Sequence, residues 1–173
     1  FESEFTAQGK LNFEGQFESL EIEQNKNQPL TLGMEVFFRH VRIITRGSGV
    51  VRVGSIRADI IDITLADEGI FHCPNGIEAN NVNVDGADQS RFSCALIVGR
   101  APSRVFTFKG QFRGESTMVS SNMFKLSAAS EIILSNQAVL QLLYSSKNAT
   151  AEKPTINMAD QSFASLPKGH KFT

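Results

Sequence analysis

Four carboxylates lie close together in the chain, at Asp59, Asp62, Asp67 and Glu68. A pair of carboxylates about 5 Å apart can cleave a glycosidic bond with retention of configuration. The competing interpretation is that Asp59 and Asp62 are the polar positions of an alternating strand, while Asp67 and Glu68 form a solvated turn. We favour the second interpretation and therefore predict no catalytic residue in this chain.

The residue types that most often bind metals are scattered. The two cysteines, Cys73 and Cys94, are not in Cys-x-x-Cys spacing, and the three histidines are His40, His72 and His170. These positions match no zinc-site spacing. The chain also lacks a Gly-rich phosphate loop and a Gly-x-Ser-x-Gly elbow. We therefore predict no metal site and no cofactor.

The composition is that of an ordinary soluble domain, with 173 residues, 41% hydrophobic residues and a net charge of -1. Nucleic-acid-binding proteins usually carry a clustered basic excess, so this charge argues against such a partner. No apolar stretch approaches the roughly 18 residues that a transmembrane helix needs. The chain begins at Phe1 without a basic and then apolar segment, so we expect a targeting peptide to be absent or already removed.

Short runs that alternate apolar and polar residues dominate the chain, and turn residues separate them. Alternation is the pattern of a half-buried strand, which predicts an all-β protein. The runs also recur at a nearly constant interval of 20 or 21 residues, in three parallel rows. The first row is Leu20/Ile22, Val41/Ile43, Ile61/Ile63 and Val82/Val84; the second is Leu11, Leu32, Val53, Cys73 and Cys94; the third is Phe17, Phe38, Ala58 and Ala79.

A constant interval is what stacking in a parallel β-solenoid requires, because each residue then lies over its counterpart one coil earlier. Three rows predict a right-handed parallel β-helix with about three strands per coil and coils of about 20–21 residues. A β-sandwich is the alternative, but it should show more hairpin signals than Asn75-Gly76 and Asp85-Gly86. In the solenoid, Cys73 and Cys94 lie one above the other, and we expect a ladder of thiols in preference to a disulfide.

Beyond residue 100 the interval is less regular. The pairs Phe106/Phe108, Phe124/Leu126 and Leu142/Tyr144 are spaced by 18 residues and are the expected continuation of the rows. We place the solenoid domain at residues 1–144. Residues 145–173, richer in Ser, Lys, Ala and Pro, are expected to be a cap, a linker or a tail.

The sign of charge alternates along the chain. Residues 36–57 carry five arginines and no carboxylate, whereas residues 1–35 and 58–90 each carry seven carboxylates. Stacked coils would bring these blocks into contact, and a slip by one coil would bring like charges together. We therefore predict that arginines help to set coil register, although a mixed solvated surface is the open alternative. The residues concerned are Arg39, Arg42, Arg46, Arg52 and Arg57.

Three segments resemble the bactofilins, a family of bacterial cytoskeletal proteins: residues 7–15, Gly54-Ser55-Ile56-Arg57-Ala58 and Gly76-Ile77-Glu78-Ala79. The resemblance covers roughly residues 7–100. It implies a nucleotide-independent scaffold that polymerises end to end, often beneath the membrane. The chain departs from the family in its longer coils, its fourteen Phe residues and its C-terminal extension.

We therefore expect a non-enzymatic structural protein that associates with itself through its terminal coils, with other envelope or surface proteins as further candidate partners. A secreted or cell-surface adhesin is the second hypothesis, and a small polysaccharide-acting enzyme the third. The scaffold hypothesis implies the cytoplasmic face of the membrane, and the adhesin hypothesis implies the cell surface. The sequence leaves the compartment open.

Overall fold

A computed structural model describes residues 10–13, 16–25, 29–34, 37–95, 97–99, 107–120, 129–142 and 155–165. Within these ranges the chain forms strands and turns. The strands are β1 (Lys10–Phe13), β2 (Gln16–Gln24), β3 (Pro29–Met34), β4 (Phe37–Thr45), β5 (Val50–Val53), β6 (Ile56–Leu65), β7 (Ile70–Cys73), β8 (Ile77–Gly86), β9 (Arg91–Cys94), β10 (Ile97–Gly99), β11 (Thr107–Phe112), β12 (Thr117–Ser120), β13 (Glu131–Leu134), β14 (Val139–Leu142), β15 (Thr155–Met158) and β16 (Phe163–Ser165).

The strands form two parallel sheets. The first has the order β1-β3-β5-β7-β9-β12-β14-β16, and the second has the order β15-β13-β11-β8-β6-β4-β2, with β10 also paired to β8. Apart from β10 and β11, which both belong to the second sheet, successive strands contribute alternately to the two sheets. This is the arrangement of a β-solenoid. The structure confirms the predicted all-β parallel solenoid, and the pairings in the described ranges are those of a coil and not of a sandwich. Its right-handedness stays a prediction.

Residues of the predicted rows lie opposite one another on neighbouring strands. Val41 is paired with Leu20 and Ile61, and Val82 with Ile61. The same strands place Ile22, Ile43, Ile63 and Val84 in register, and likewise Phe17, Phe38, Ala58 and Ala79. In the other sheet Leu11 faces Leu32, Leu32 faces Val53, and Cys73 faces Cys94. Between β5 and β7 the pairing ends at Arg52 and His72, one residue before Val53 and Cys73.

Each long strand of the second sheet turns a corner. In β6, Ala58 and Ile61 are buried, but Asp59 and Ile60 between them are not, so the alternation of burial changes phase. The pairing of β4 with β6 also passes over Asp59. A coil therefore contains two strands, and the longer strand serves two of the three predicted faces.

Beyond residue 100, where the sequence leaves the coil register open, the coils are longer than the 18-residue spacing of the expected pairs. Phe108 lies opposite Val82, Ile132 opposite Gly110, and Ile156 opposite Ile132. The two residues of each pair are separated along the chain by more than the expected 18 residues, and by more than the 20 or 21 residues of the first coils. The step from Ile77 to Ile97 still has the earlier length, so the first additional residues lie between β10 and β11, at the corner. Phe106, Phe124, Leu126 and Tyr144 lie outside the described residues.

Stacked turns follow the long strands. The second residue of each turn has a positive φ, the region that favours Gly, Asn and Asp. The backbone N–H groups of Glu68, Gln89 and Gln137 donate to the carbonyl of this residue one coil earlier, at 2.8–2.9 Å. Hydrogen bonds between coils thus continue through the turns. The positive-φ residues of these turns are Gly47 (55°), Asp67 (55°), Asp88 (57°), Gly114 (71°), Asn136 (59°) and Asp160 (57°).

The column continues into the segment that was expected to be a cap, a linker or a tail. Strand β15 pairs with β13, and β16 pairs with β14, both in parallel. The described part of this segment, residues 155–165, therefore forms a further coil of the solenoid rather than a separate linker.

Candidate functional site

Within the described residues, the coil formed by β15 and β16 leaves part of an interior row exposed. Leu134 is fully buried, whereas Met158, which occupies the same row one coil later, is 44% exposed. Ile156 and Ala164, which continue the rows of Ile132 and Leu140, are only partly buried. These side chains are covered by a neighbouring coil on one side, and the described residues provide no cover on the other. The last coil therefore presents an apolar surface together with the edges of two sheets.

The opposite end is formed by β1 and β2. Leu20 is partly buried there, and Ile22 packs into the core. The outward side chains of β2 include three exposed carboxylates, Glu18, Glu21 and Glu23. The two ends therefore differ in charge. In β15 of the C-terminal coil, the outward side chains on either side of Ile156 are the uncharged Thr155 and Asn157.

Ion pairs connect neighbouring coils. Arg39 Nη1 lies 3.4 Å from Glu18, Arg42 Nη1 lies 3.2 Å from Glu21, and Arg46 Nη1 lies 3.8 Å from Glu23. Arg57 pairs in the other direction, with Nε 3.0 Å from Glu78 in the following coil. These contacts support the proposed role of the arginines in register.

Arg52 differs from the other four arginines. It lies in β5 of the first sheet, where it is opposite Thr31 and His72, and it forms no ion pair within the described ranges. Its expected contribution to register therefore has no contact to support it. The charge block of residues 36–57 spans both sheets, and within it the arginines that meet carboxylates belong to the second sheet and to the turn after β4.

Replacing Arg39 and Arg42 together with Gln is expected to lower the free energy of unfolding by about 0.4–2 kcal/mol at low salt, since exposed pairs contribute about 0.2–1 kcal/mol each. The difference should shrink in 1 M NaCl, because the Debye length falls to about 3 Å. Urea denaturation at both salt concentrations measures the effect. Arg52→Gln is the matched control and should have little effect; an equal loss in the control would contradict a role for the pairs.

The four carboxylates considered for catalysis are distributed along the coil. Asp59 lies at the corner and accepts a hydrogen bond from Asn80 Nδ2 at 2.9 Å. Asp62 lies on the outer face of the second sheet, where it accepts bonds from His40 Nε2 at 2.6 Å and Asn83 Nδ2 at 2.7 Å. Both carboxylates therefore join adjacent coils.

The other two carboxylates belong to a turn. Asp67 accepts a hydrogen bond from the backbone N–H of Gly47 at 2.8 Å, and Glu68 is exposed. The same contact recurs where Asp160 accepts from the N–H of Asn136 at 3.0 Å. The carboxylate thus binds the positive-φ residue of the preceding turn. Sequence reasoning missed this role, although the recurring Asp or Asn before Gln or Glu would have revealed it.

Cys73 and Cys94 form no disulfide, and both are buried and paired in register. The Cys73 thiol donates to the carbonyl of Gly76 at 3.2 Å. The neighbouring Cys94 thiol lowers the pKa of Cys73, against the opposite effect of desolvation. The arrangement is a ladder of thiols. His72 lies opposite Ser93, His170 is outside the described residues, and no group of three metal-binding side chains occurs in the described ranges.

In three comparisons the chain matches no family model, no curated protein and no solved structure. Among the described residues there is no helix with the length and apolar character needed to cross a bilayer.

Proposed function

We propose that this protein is a non-enzymatic structural β-solenoid that assembles with itself through its terminal coils. The observation that carries the proposal is the exposure of an interior row at the C-terminal end, where Met158 follows the fully buried Leu134. A strand edge with apolar neighbours recruits another chain unless it is covered. The resemblance of residues 7–100 to the bactofilins adds support, since that family polymerises end to end.

A head-to-tail contact suits the two ends best. In this arrangement β2 of a second copy would add to β15 with all strands parallel, so that the row of Ile132 and Ile156 continues into Ile22. The acidic side chains of β2 would then meet the uncharged side chains of β15, whereas two β2 edges would bring like charges together. The assembly would therefore be polar.

Met158→Lys is expected to raise the protein concentration needed for assembly by tenfold or more. A buried Met side chain contributes about 1.5–3 kcal/mol, and each 1.4 kcal/mol is a factor of ten. Negative-stain microscopy and sedimentation across a concentration series, without nucleotide, measure the change. The stability of the monomer should be nearly unchanged because Met158 is already 44% exposed.

Phe163→Lys is the matched control. Phe163 belongs to the same coil but lies opposite Val139 in the outward row, and its 56% exposure is on the flank of the column. This variant should assemble like the unmodified protein. Monomeric particles of the unmodified protein at high concentration would contradict the proposal, and equal loss of assembly in both variants would place the contact on the flank.

A further inference from the structure

An open groove of about 620 Å³ lies on the outer face of the second sheet. One wall is a row of polar side chains from five successive coils, in register along the axis: Arg42, Asp62, Asn83, Lys109 and Glu131. Four steps at the strand spacing of about 4.8 Å give a length of roughly 19 Å. The second wall is Thr64, Asp85, Gln111 and Ile133, also in register. The groove thus suits an extended ligand.

Most charged groups of the groove already have partners. Asp62 is bound by His40 and Asn83, Asp85 by Arg113 at 3.2 Å, and Glu131 by Asn157 Nδ2 at 2.8 Å. These contacts hold the side chains in place, while the side chains of Asp62 and Asp85 stay 36% and 45% exposed. Fixed polar groups of this kind bind a ligand without a large loss of side-chain entropy.

Lys109 and Gln111, in the middle of the groove, are both exposed, and they have no side-chain hydrogen bond or ion pair within the described ranges. Lysine offers three donors, and the glutamine amide offers donors and an acceptor. Ile133, half-buried beside them, provides an aliphatic patch. The groove therefore combines donors, acceptors and one apolar contact at its centre.

This chemistry selects among linear polymers. The side chains of the groove carry two permanently basic residues, Arg42 and Lys109, against three carboxylates, and no Phe, Tyr or Trp is among the lining residues, which disfavours a nucleic acid. An extended peptide would need a free strand edge, but the floor strands β6, β8, β11 and β13 are paired on both sides. Hydroxyl groups, which both donate and accept, match this mixture of carboxylate, amide and ammonium groups.

We propose that this groove is a binding site for a neutral, linear oligosaccharide, an activity beyond the assembly proposed above. About four sugar units would lie along the column axis. Hydroxyl groups would bind Lys109 and Gln111 at the centre and Asp62 and Glu131 towards the ends, with the C–H face of one ring against Ile133.

Isothermal titration calorimetry tests the proposal with hexasaccharides of β-1,4-linked glucose, β-1,4-linked N-acetylglucosamine, α-1,4-linked glucose and α-1,4-linked galacturonate. At least one neutral hexasaccharide should bind, and Lys109→Ala with Gln111→Ala should weaken it at least tenfold. Arg52→Ala with Arg91→Ala, on the outer face of the first sheet, is the matched control and should bind within twofold of the unmodified protein. Circular dichroism checks that both double variants keep their fold.

Three results would overturn the proposal: no binding to any of the hexasaccharides at millimolar concentration, binding of the galacturonate alone, or full binding in the Lys109 and Gln111 double variant. The titrations are repeated on the Met158→Lys variant. Because the groove lies on a flank and not at an end, binding should persist when assembly is lost. Failure of the assembly proposal and failure of the groove proposal therefore give different results.

Discussion

Replacing Phe92 with Ala is expected to lower the free energy of unfolding by about 3–5 kcal/mol. The Phe92 ring is fully buried in the interior of the column. It stacks on Phe71 of the preceding coil, with ring centroids 5.5 Å apart and planes inclined by 14°. It also contacts the ring of Phe112, with centroids 6.5 Å apart. Removal of the ring leaves a cavity that is surrounded by strands. The strands cannot move together to fill this cavity without breaking their hydrogen bonds.

Urea denaturation measures this loss, followed by circular dichroism at a concentration below the onset of assembly. Phe163→Ala is the matched control, because the same side chain is removed from an exposed outward position. The control should change stability by less than about 0.5 kcal/mol. A loss below about 1 kcal/mol for Phe92→Ala, well under the usual range for a buried ring, would contradict the close packing of the three rings.

The second large effect is expected at a turn. Gly114→Ala should lower the free energy of unfolding by about 1–3 kcal/mol, the usual range for forced overpacking. Gly114 has a φ of 71°, and a β-carbon there would lie 2.9 Å from both the Cα and the N of Asp88. These are backbone atoms of the neighbouring turn, so they cannot move aside without disturbing the stack.

Asn136 provides the comparison for that variant. It occupies the equivalent turn position one coil later, with a φ of 59°, and it already carries a side chain. Asn136→Gly should therefore change stability by only a few tenths of a kcal/mol. Thermal or urea unfolding measures the change in stability of the two variants side by side. The comparison separates the steric clash at Gly114 from the general cost of placing a non-glycine residue in the left-handed conformation. Equal losses in both variants would show that the clash is not the cause.

The register of the first coils could be predicted because the number of residues per coil hardly changes there. Leu20, Val41, Ile61 and Val82 are therefore both evenly spaced in the chain and stacked in space. Even spacing in the chain no longer corresponds to stacking in space after Gly99, because additional residues lie between Gly99 and Thr107. Strand β11 still alternates between buried and exposed positions, but its distance from the previous strand no longer identifies its partner. Period analysis alone could not assign it.

A different signal continues through that region. The positive-φ position of each turn accepts few residue types, and the residue after it is Glu, Gln or Ser. Alignment of Asp88, Gly114, Asn136 and Asp160 would have given the same unequal steps as the strands that follow these turns. Backbone conformation restricts the sequence more strictly here than burial does, since many apolar residues fit an interior row.

The candidate sites were less accessible to sequence analysis for the same reason. The open end depends on the placement of β15 and β16, two short strands in a segment with little apolar periodicity. The groove depends on Lys109 and Glu131 being in register with Asp62, which requires the two longer steps on either side of β11. The inter-coil ion pairs of Arg39 and Arg42 were easier, because they lie where the interval is constant.

The corner of the long strands has a consequence for how the length of this protein can vary. Asp59 occupies a place where the ladder passes over one residue, and one coil carries its additional residues at the same corner without losing register on either side. Chain length can therefore vary at this edge while the packed interior stays unchanged. Insertions or deletions at this position would leave the strand pairing on both sides of it unchanged.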